Sequence, residues 1–254
     1  MEEDTDKIEC KEILKIGSLK NKTVLDIGSG LGRCTILYAS LTKKVIGIDS
    51  SDILIKKAKK LLPKKLKQKV IYKVGYAEKL NFEDEVFDTV FFSWSLHHIQ
   101  MKKQKVALKE AYRVLKRNGQ LLVLEPTLEG ERIHFTEITH PEIEPAKNAI
   151  EILIKLTGKM FELNCQETFS IKYYFDNENE VIKYFKREDN LPVGSEFKVL
   201  RLLKNCHRVN NKILISEGAK IWKFQKNTKL NKRQIEKIRE KSERYSGSIL
   251  NSAK

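Results

Sequence analysis

The chain has 254 residues, with 49 lysines and arginines against 34 acidic residues, a net charge of +15, and 41% apolar residues. That length fits one α/β domain with an insertion, or one domain with a small appendage, and is enough to bury a sizeable core, so a two-domain split is not required. The four cysteines, Cys10, Cys34, Cys165 and Cys206, form no C-x-x-C pair, so neither a zinc knuckle nor a disulfide framework is indicated and reduced thiols are the simple reading.

No stretch of eighteen apolar residues occurs, and the opening residues lack a charged-then-apolar leader, so a cytoplasmic protein without a membrane span is expected. The basic excess invites a polyanion. Against that, the lysines recur along the whole chain beside glutamates, as on solvated faces. A nucleic-acid partner stays open but is not favoured, and no feature specifies an oligomeric state.

Residues 1–20 open acidic and then place Ile8, Ile13, Leu14 and Ile16 at loosely helical spacing, fit to pack on a sheet or to cover a ligand. Thr23 to Ile27 reads as a short buried strand running into Gly28-Ser29-Gly30-Leu31-Gly32-Arg33. Cys34, Leu37, Tyr38 and Leu41 follow at helical spacing, so the glycines lie between a strand's carboxyl end and a helix's amino end, the ligand crevice of an open α/β sheet. The spacing is G-x-G-x-G, whereas dinucleotide sites carry G-x-G-x-x-G. Asp26, two residues before the first glycine, would repel a pyrophosphate and suits a ligand with an ammonium group. Asp49 closes the strand Val45–Ile48 about twenty residues later, where a βαβ unit sets an acid against a ribose; it could also cap the next helix, in competition with Ser50, Ser51 and Asp52.

A helix is expected from Ile53 to Leu62, with Leu54, Ala58 and Leu61 on one face and Pro63 ending it. The lysine run from Lys56 to Lys69 contains no aromatic residue on which a base could stack, and reads as a solvated face. Lys69–Gly75 and Phe87–Ser93 are the third and fourth strands, the latter apolar as in a sheet covered on both faces. Lys103–Lys116 reads as a helix ended by Asn118-Gly119, before the strand Gln120–Leu124 with Glu125 at its carboxyl end.

Val24–Gly32, Val45–Asp49, Gly75-Tyr76-Ala77-Glu78-Lys79-Leu80 with Phe87–Val90 and Leu96-His97-His98-Ile99, and Arg113–Lys116 through Gly119 to Glu125-Pro126 stand in one order. Through them, over roughly residues 20 to 126, the chain resembles the class I S-adenosylmethionine-dependent methyltransferases. The resemblance implies an α/β, Rossmann-like doubly wound sheet of seven strands, mostly parallel with an antiparallel final hairpin, and S-adenosyl-L-methionine as cofactor. It also implies cofactor contacts from Asp26, Gly28, Ser29, Gly30, Arg33, Asp49, Ser50, Tyr76, Ala77, Glu78, Ser93 and Trp94. Relatives usually read Gly-Asp-Ala-Glu where this chain has Gly75-Tyr76-Ala77-Glu78. Tyr76 cannot accept hydrogen bonds as a carboxylate does, though its ring could stack on adenine and the Ala77 amide could reach a ring nitrogen.

By the same resemblance, residues 93–98 lie where the reactive methyl points. For His97 and His98 packing or hydrogen bonding is favoured over catalysis, and no metal is expected because other ligands are lacking. If the acceptor must lose a proton, His98, Glu125 and His134, with His140 behind them, are the candidate bases; Glu125 could equally accept backbone hydrogen bonds at the bend before Pro126.

The resemblance places a substrate-selecting cap at 127–166, where His134, His140 and five glutamates precede a helix carrying Ala146, Ala149, Ile150, Leu153, Leu156 and Met160. That helix's polar face mixes Glu151 with Lys155 and Lys159, which suits packing better than a membrane surface. Residues 167–225 would complete the core sheet: a strand at Phe169–Phe175, helices at Glu178–Lys186 and Glu196–Leu203, and a strand pair's worth of alternation from Lys212 to Phe224 around Gly218. Residues 1–20 form the N-terminal helical segment and 21–126 the cofactor-binding core. Residues 226–254 read as a basic tail, either an exposed helix or a binder of an anionic partner.

The resulting expectation is an enzyme methylating a small-molecule acceptor. The alternatives are an RNA or protein methyltransferase using the basic surface, disfavoured by the lack of an Asn/Asp-Pro-Pro-Tyr stretch after the fourth strand, and a non-catalytic cofactor-binding module.

Overall fold

The apolar runs pair with one another in a single mixed sheet. The computed structural model describes residues 2–3, 7–188 and 191–228; the expected basic tail beyond residue 228 lies outside them. The strands are β1 (Glu2–Glu3), β2 (Thr23–Ile27), β3 (Lys44–Asp49), β4 (Val70–Val74), β5 (Phe87–Ser93), β6 (Leu115–Pro126), β7 (Phe161–Phe175), β8 (Arg208–Val209) and β9 (Lys212–Lys226). Their order is β1-β7-β9-β6-β5-β2-β3-β4, with β8 beside β9. β4, β3, β2, β5 and β6 run parallel, while β9 lies antiparallel between β6 and β7. This is the Rossmann-like, mostly parallel sheet with antiparallel closing strands; among the described residues it has nine strands where seven were expected, because the two-residue β1 and β8 pair with β7 and β9, and the closing strands are separated by α7, α8 and β8 instead of forming a hairpin. Chain direction along the sheet reverses at β2 and β5, and the crevice outside the strands' carboxyl ends at such a point is where open α/β sheets bind ligands.

Both faces of the parallel strands are covered, which explains their near-continuous apolar sequences. Leu25, Ile27, Val90, Phe92, Leu121 and Val123 point to one face and pack on α4 (Met101–Val114) and α6 (Ile143–Leu156). Val24, Phe91, Leu122 and Leu124 point to the other, against α1 (Ile8–Gly17), α2 (Arg33–Tyr38) and α3 (Asp52–Leu61). A third apolar cluster joins α5 (Arg132–Thr139), α7 (Glu178–Glu188) and α8 (Glu196–Leu203) to β7 and β9 around Phe135, Tyr173 and Phe185. The expected cap segment therefore divides: α6 joins the core layer through Ala149, Leu153 and Leu156, and α5 belongs to the third cluster.

The structure corrects several expected boundaries. α4 stops at Val114, because Leu115 takes an extended backbone, pairs with Phe87 and is fully buried; Asn118-Gly119 thus lies inside β6 instead of ending a helix. β7 starts at Phe161, so residues 161–166 form strand, anchored by Phe161 packing on Tyr112 and Phe224. The stretch Lys212–Phe224 is one unbroken strand. Lys226 is no tail residue: its ammonium donates to the Leu115 carbonyl at 2.5 Å, lies 3.5 Å from Glu85 and stands over the Tyr112 ring.

Gly218 sits mid-strand where another backbone crosses. Its carbonyl accepts from Thr127 N and its amide donates to Glu129 O, so a Cβ here would lie 2.1 Å from Thr127 Oγ1 and 2.7 Å from Glu129 O. Gly218→Ala is expected to destabilise the fold by about 1–3 kcal/mol in urea denaturation, as overpacking against backbone does; a loss under about 0.5 kcal/mol would show that the crossing yields easily.

Candidate functional site

β2 ends in a turn tied to its neighbour: the Gly28 and Ser29 amides both donate to the Ile48 carbonyl at 2.8 and 2.9 Å, and the Gly32 amide donates to Ser29 O. At Gly28 (φ 72) a Cβ would meet Ser95 Cβ at 2.4 Å; at Gly30 (φ 52) it would meet nothing within 4 Å, so the loop's outer side is open space.

Asp49 closes the other side. Its Oδ2 accepts from Gly30 N at 3.0 Å and its Oδ1 from Ser51 N at 2.8 Å. The cap of α3 itself is Ser51, whose hydroxyl accepts from Leu54 N. Asp49 therefore joins the glycine turn to the start of α3. An ionised carboxylate has about four acceptor positions, so roughly two remain for hydroxyls of a ligand.

Gly28, Asp49, Ser50, Tyr76, Ala77, Glu78, Ser95 and His98 line one cleft of about 500 Å³, within the range of small-molecule sites. Six of these were expected as cofactor contacts and His98 as a catalytic group. Tyr76 is more than half exposed, and Glu78 pairs with Lys103 at 2.6 Å across the rim. Lys103 went unnoticed in the sequence, where it reads as one of many helix lysines. Ser29 is buried in the loop, and its hydroxyl has no hydrogen-bond partner among the described residues.

The remaining expected contacts lie elsewhere. Asp26 is fully buried beneath the turn and accepts from Thr35 Oγ1 at 2.5 Å, Tyr38 OH at 2.8 Å and Ser93 Oγ at 3.4 Å, so it ties the turn to α2 and to the end of β5. Burial pushes its carboxyl up to about 6, and the Thr35, Tyr38 and Ser93 hydroxyls pull it down. Ser93 is thereby a donor to Asp26 and does not line the cleft. Arg33 makes a two-pronged ion pair with Glu9, and Trp94 Nε1 donates to the same carboxylate at 2.6 Å. Glu9 was missed; the signal was present, since Glu9, Ile13 and Ile16 share one helical face, and an acid on an apolar face needs a buried partner.

Glu125 resolves toward its bend role. It is fully buried, accepts from the Ser95, Leu96 and His97 amides, and its Oε2 lies 2.5 Å from His97 Nδ1. Burial opposes charge on His97, but the Glu125 carboxylate outweighs it and raises the imidazole above its ordinary value. His98, on the cleft wall, is held below the ordinary range by desolvation and by His97, which keeps its ring neutral near pH 7. His134 is exposed on α5 and does not line the cleft, because Ile133 and Phe135 take the inward positions of that helix.

Residues 25–123 match a family model described as a methyltransferase domain. Over 124 residues the chain is 30% identical to the uncharacterized methyltransferase YcgJ of Bacillus subtilis, covering 46% of this chain and 48% of that one. Over 162 residues it is 32% identical to the ubiquinone/menaquinone biosynthesis C-methyltransferase UbiE of Klebsiella pneumoniae, covering 62% and 59%. The chain thus spans about half the length of the curated relatives it matches. In fold, it superposes on the crystal structure of the Bacillus YcgJ protein with a TM-score of 0.68 at 19% identity, covering 87% of this chain and 99% of that one.

The Asp26 network carries a pH signature. Because its folded value of about 6 exceeds the ordinary carboxyl value of 3.8, its contribution is complete at low pH and is lost as pH rises through 6. Measured by urea denaturation, the wild type should lose about 2–3 kcal/mol relative to Asp26→Asn between pH 4 and pH 7. A difference that stays constant with pH would contradict the burial account.

Proposed function

We propose that the protein is a class I S-adenosylmethionine-dependent methyltransferase that moves a methyl group to a small organic acceptor, a reading supported by the match of residues 25–123 to a methyltransferase-domain family model. The observation that carries the reading is the open-sided glycine loop clamped to Asp49 over one cleft. The residues present suit the cofactor: Gly30 leaves space where any side chain would project, and Asp49 retains acceptor positions for two hydroxyls. Asp49 and Ser50 would hold the ribose, Tyr76, Ala77 and Glu78 would flank the base, and the Gly28–Gly30 backbone would carry the amino-acid end.

S-adenosylmethionine supplies a methyl group already activated by its sulfonium. The chain's task is alignment and exclusion of water, with few obligatory catalytic side chains. Glu125 fixes the 95–97 turn through three backbone amides and so sets where Ser95 and His98 meet the cleft. His98, neutral on that wall, is the group placed to take a proton from an acceptor that must lose one.

A quinol-type aromatic ring is the acceptor class that the likeness to a ubiquinone/menaquinone C-methyltransferase supports. The test is transfer of labelled methyl from S-adenosylmethionine by the full chain, with a demethylated quinol analogue and total RNA in separate reactions. Label is expected in the quinol fraction and absent from RNA. Label in RNA or in the protein fraction alone would overturn the small-molecule reading, and no label with any acceptor would leave only cofactor binding.

A further inference from the structure

At the cleft wall formed by His98, two segments far apart in sequence bring ligating groups together. His97, His98 and Glu142 each offer one atom, and the three atoms lie within 4.8 Å of one another. We propose that these residues form a binding site for one divalent transition-metal ion of the zinc type, bridging the end of the β5–α4 turn and the start of α6, with its remaining position open to water or an acceptor oxygen.

The ligand chemistry fits. Two imidazoles and one carboxylate form a three-ligand set of the kind that holds zinc while leaving a position free. His97 carries the expected supporting contact: Glu125 Oε2 lies 2.5 Å from Nδ1, which fixes the ring and leaves Nε2 to coordinate, and Glu125 is itself pinned by three backbone amides. The ring of His98 lies beside it, with centroids 4.0 Å apart. On the α6 side the turn is held by Glu137, whose Oε2 accepts from the Glu142 and Ile143 amides at 2.9 and 3.1 Å.

Ligands about 2.0–2.1 Å from a tetrahedral ion stand roughly 3.3 Å apart, so the three atoms need to draw in by up to about 1.5 Å, within reach of side-chain rotation. The sequence hides this site because Glu142 lies more than forty residues from the histidines. Coordination and proton acceptance use the same lone pair on His98. With an ion bound, the acidified group would be the oxygen on its open position.

The test is calorimetric titration of Zn²⁺ into the untagged full chain after chelator treatment. One ion should bind with a dissociation constant in the micromolar range or tighter, and His98→Ala and Glu142→Gln should each weaken it at least tenfold. His207→Ala, outside the cluster, should leave it unchanged. Circular dichroism and a thermal melt establish that each variant is folded, and Glu142→Gln, at a partly exposed turn, keeps the test readable if His98→Ala is not. No binding, or binding that both variants retain, would show a hydrogen-bonded histidine pair without a metal role.

Discussion

The Asp49 carboxylate joins the two turns that make the cleft: one oxygen takes the Gly30 amide, the other the Ser51 amide. Together the two bonds lock the glycine turn to the start of α3. The turn's opposite edge is fixed by the Ile48 carbonyl, which receives the Gly28 and Ser29 amides. Ile48 and Asp49 are adjacent at the end of β3, so the register of β3 beside β2 determines where the open side of Gly30 faces. A slip of one residue would turn the Asp49 side chain to the opposite face of the sheet, away from the loop, and bring Ile48 or Ser50 to its position.

Three buried carboxylates build outward from this half-buried clamp, and each is satisfied by partners of a different kind. Asp26 takes three hydroxyls, Glu125 takes backbone amides and a histidine, and Glu9 takes a guanidinium and an indole. A buried acid without partners is costly, so each of them constrains the elements that supply the donors. Glu9 ties α1 to the first residue of α2 and to Trp94, which follows β5 with φ at 54, a left-handed backbone held by its packing and its indole bond. The N-terminal helix is thereby part of the architecture around the glycine turn.

Local pattern made much of this legible. The strand runs, the glycine spacing and the position of Asp49 lie within single βα units, where periodicity and turn chemistry speak directly. What the sequence could not resolve depended on distant partners. Asp26 and Arg33 both read as cofactor contacts until Thr35, Tyr38 and Ser93 are seen to surround the first and Glu9, arriving from α1, to pair with the second. Leu115 looks helical by spacing, yet pairing with Phe87 buries it fully as strand. The even choice at Glu125 needed the amides of residues 95–97, thirty positions away, to settle on the bend.

The measurement that bears most directly on the account is calorimetric titration of the full chain with S-adenosylmethionine, beside NAD, for the wild type and Asp49→Ala. The account predicts micromolar binding of S-adenosylmethionine, a loss of at least tenfold in the variant, about 1.4 kcal/mol, and no measurable binding of NAD. Equal affinity in the variant, or a preference for NAD, would contradict the assignment of the glycine turn and Asp49 as the cofactor site.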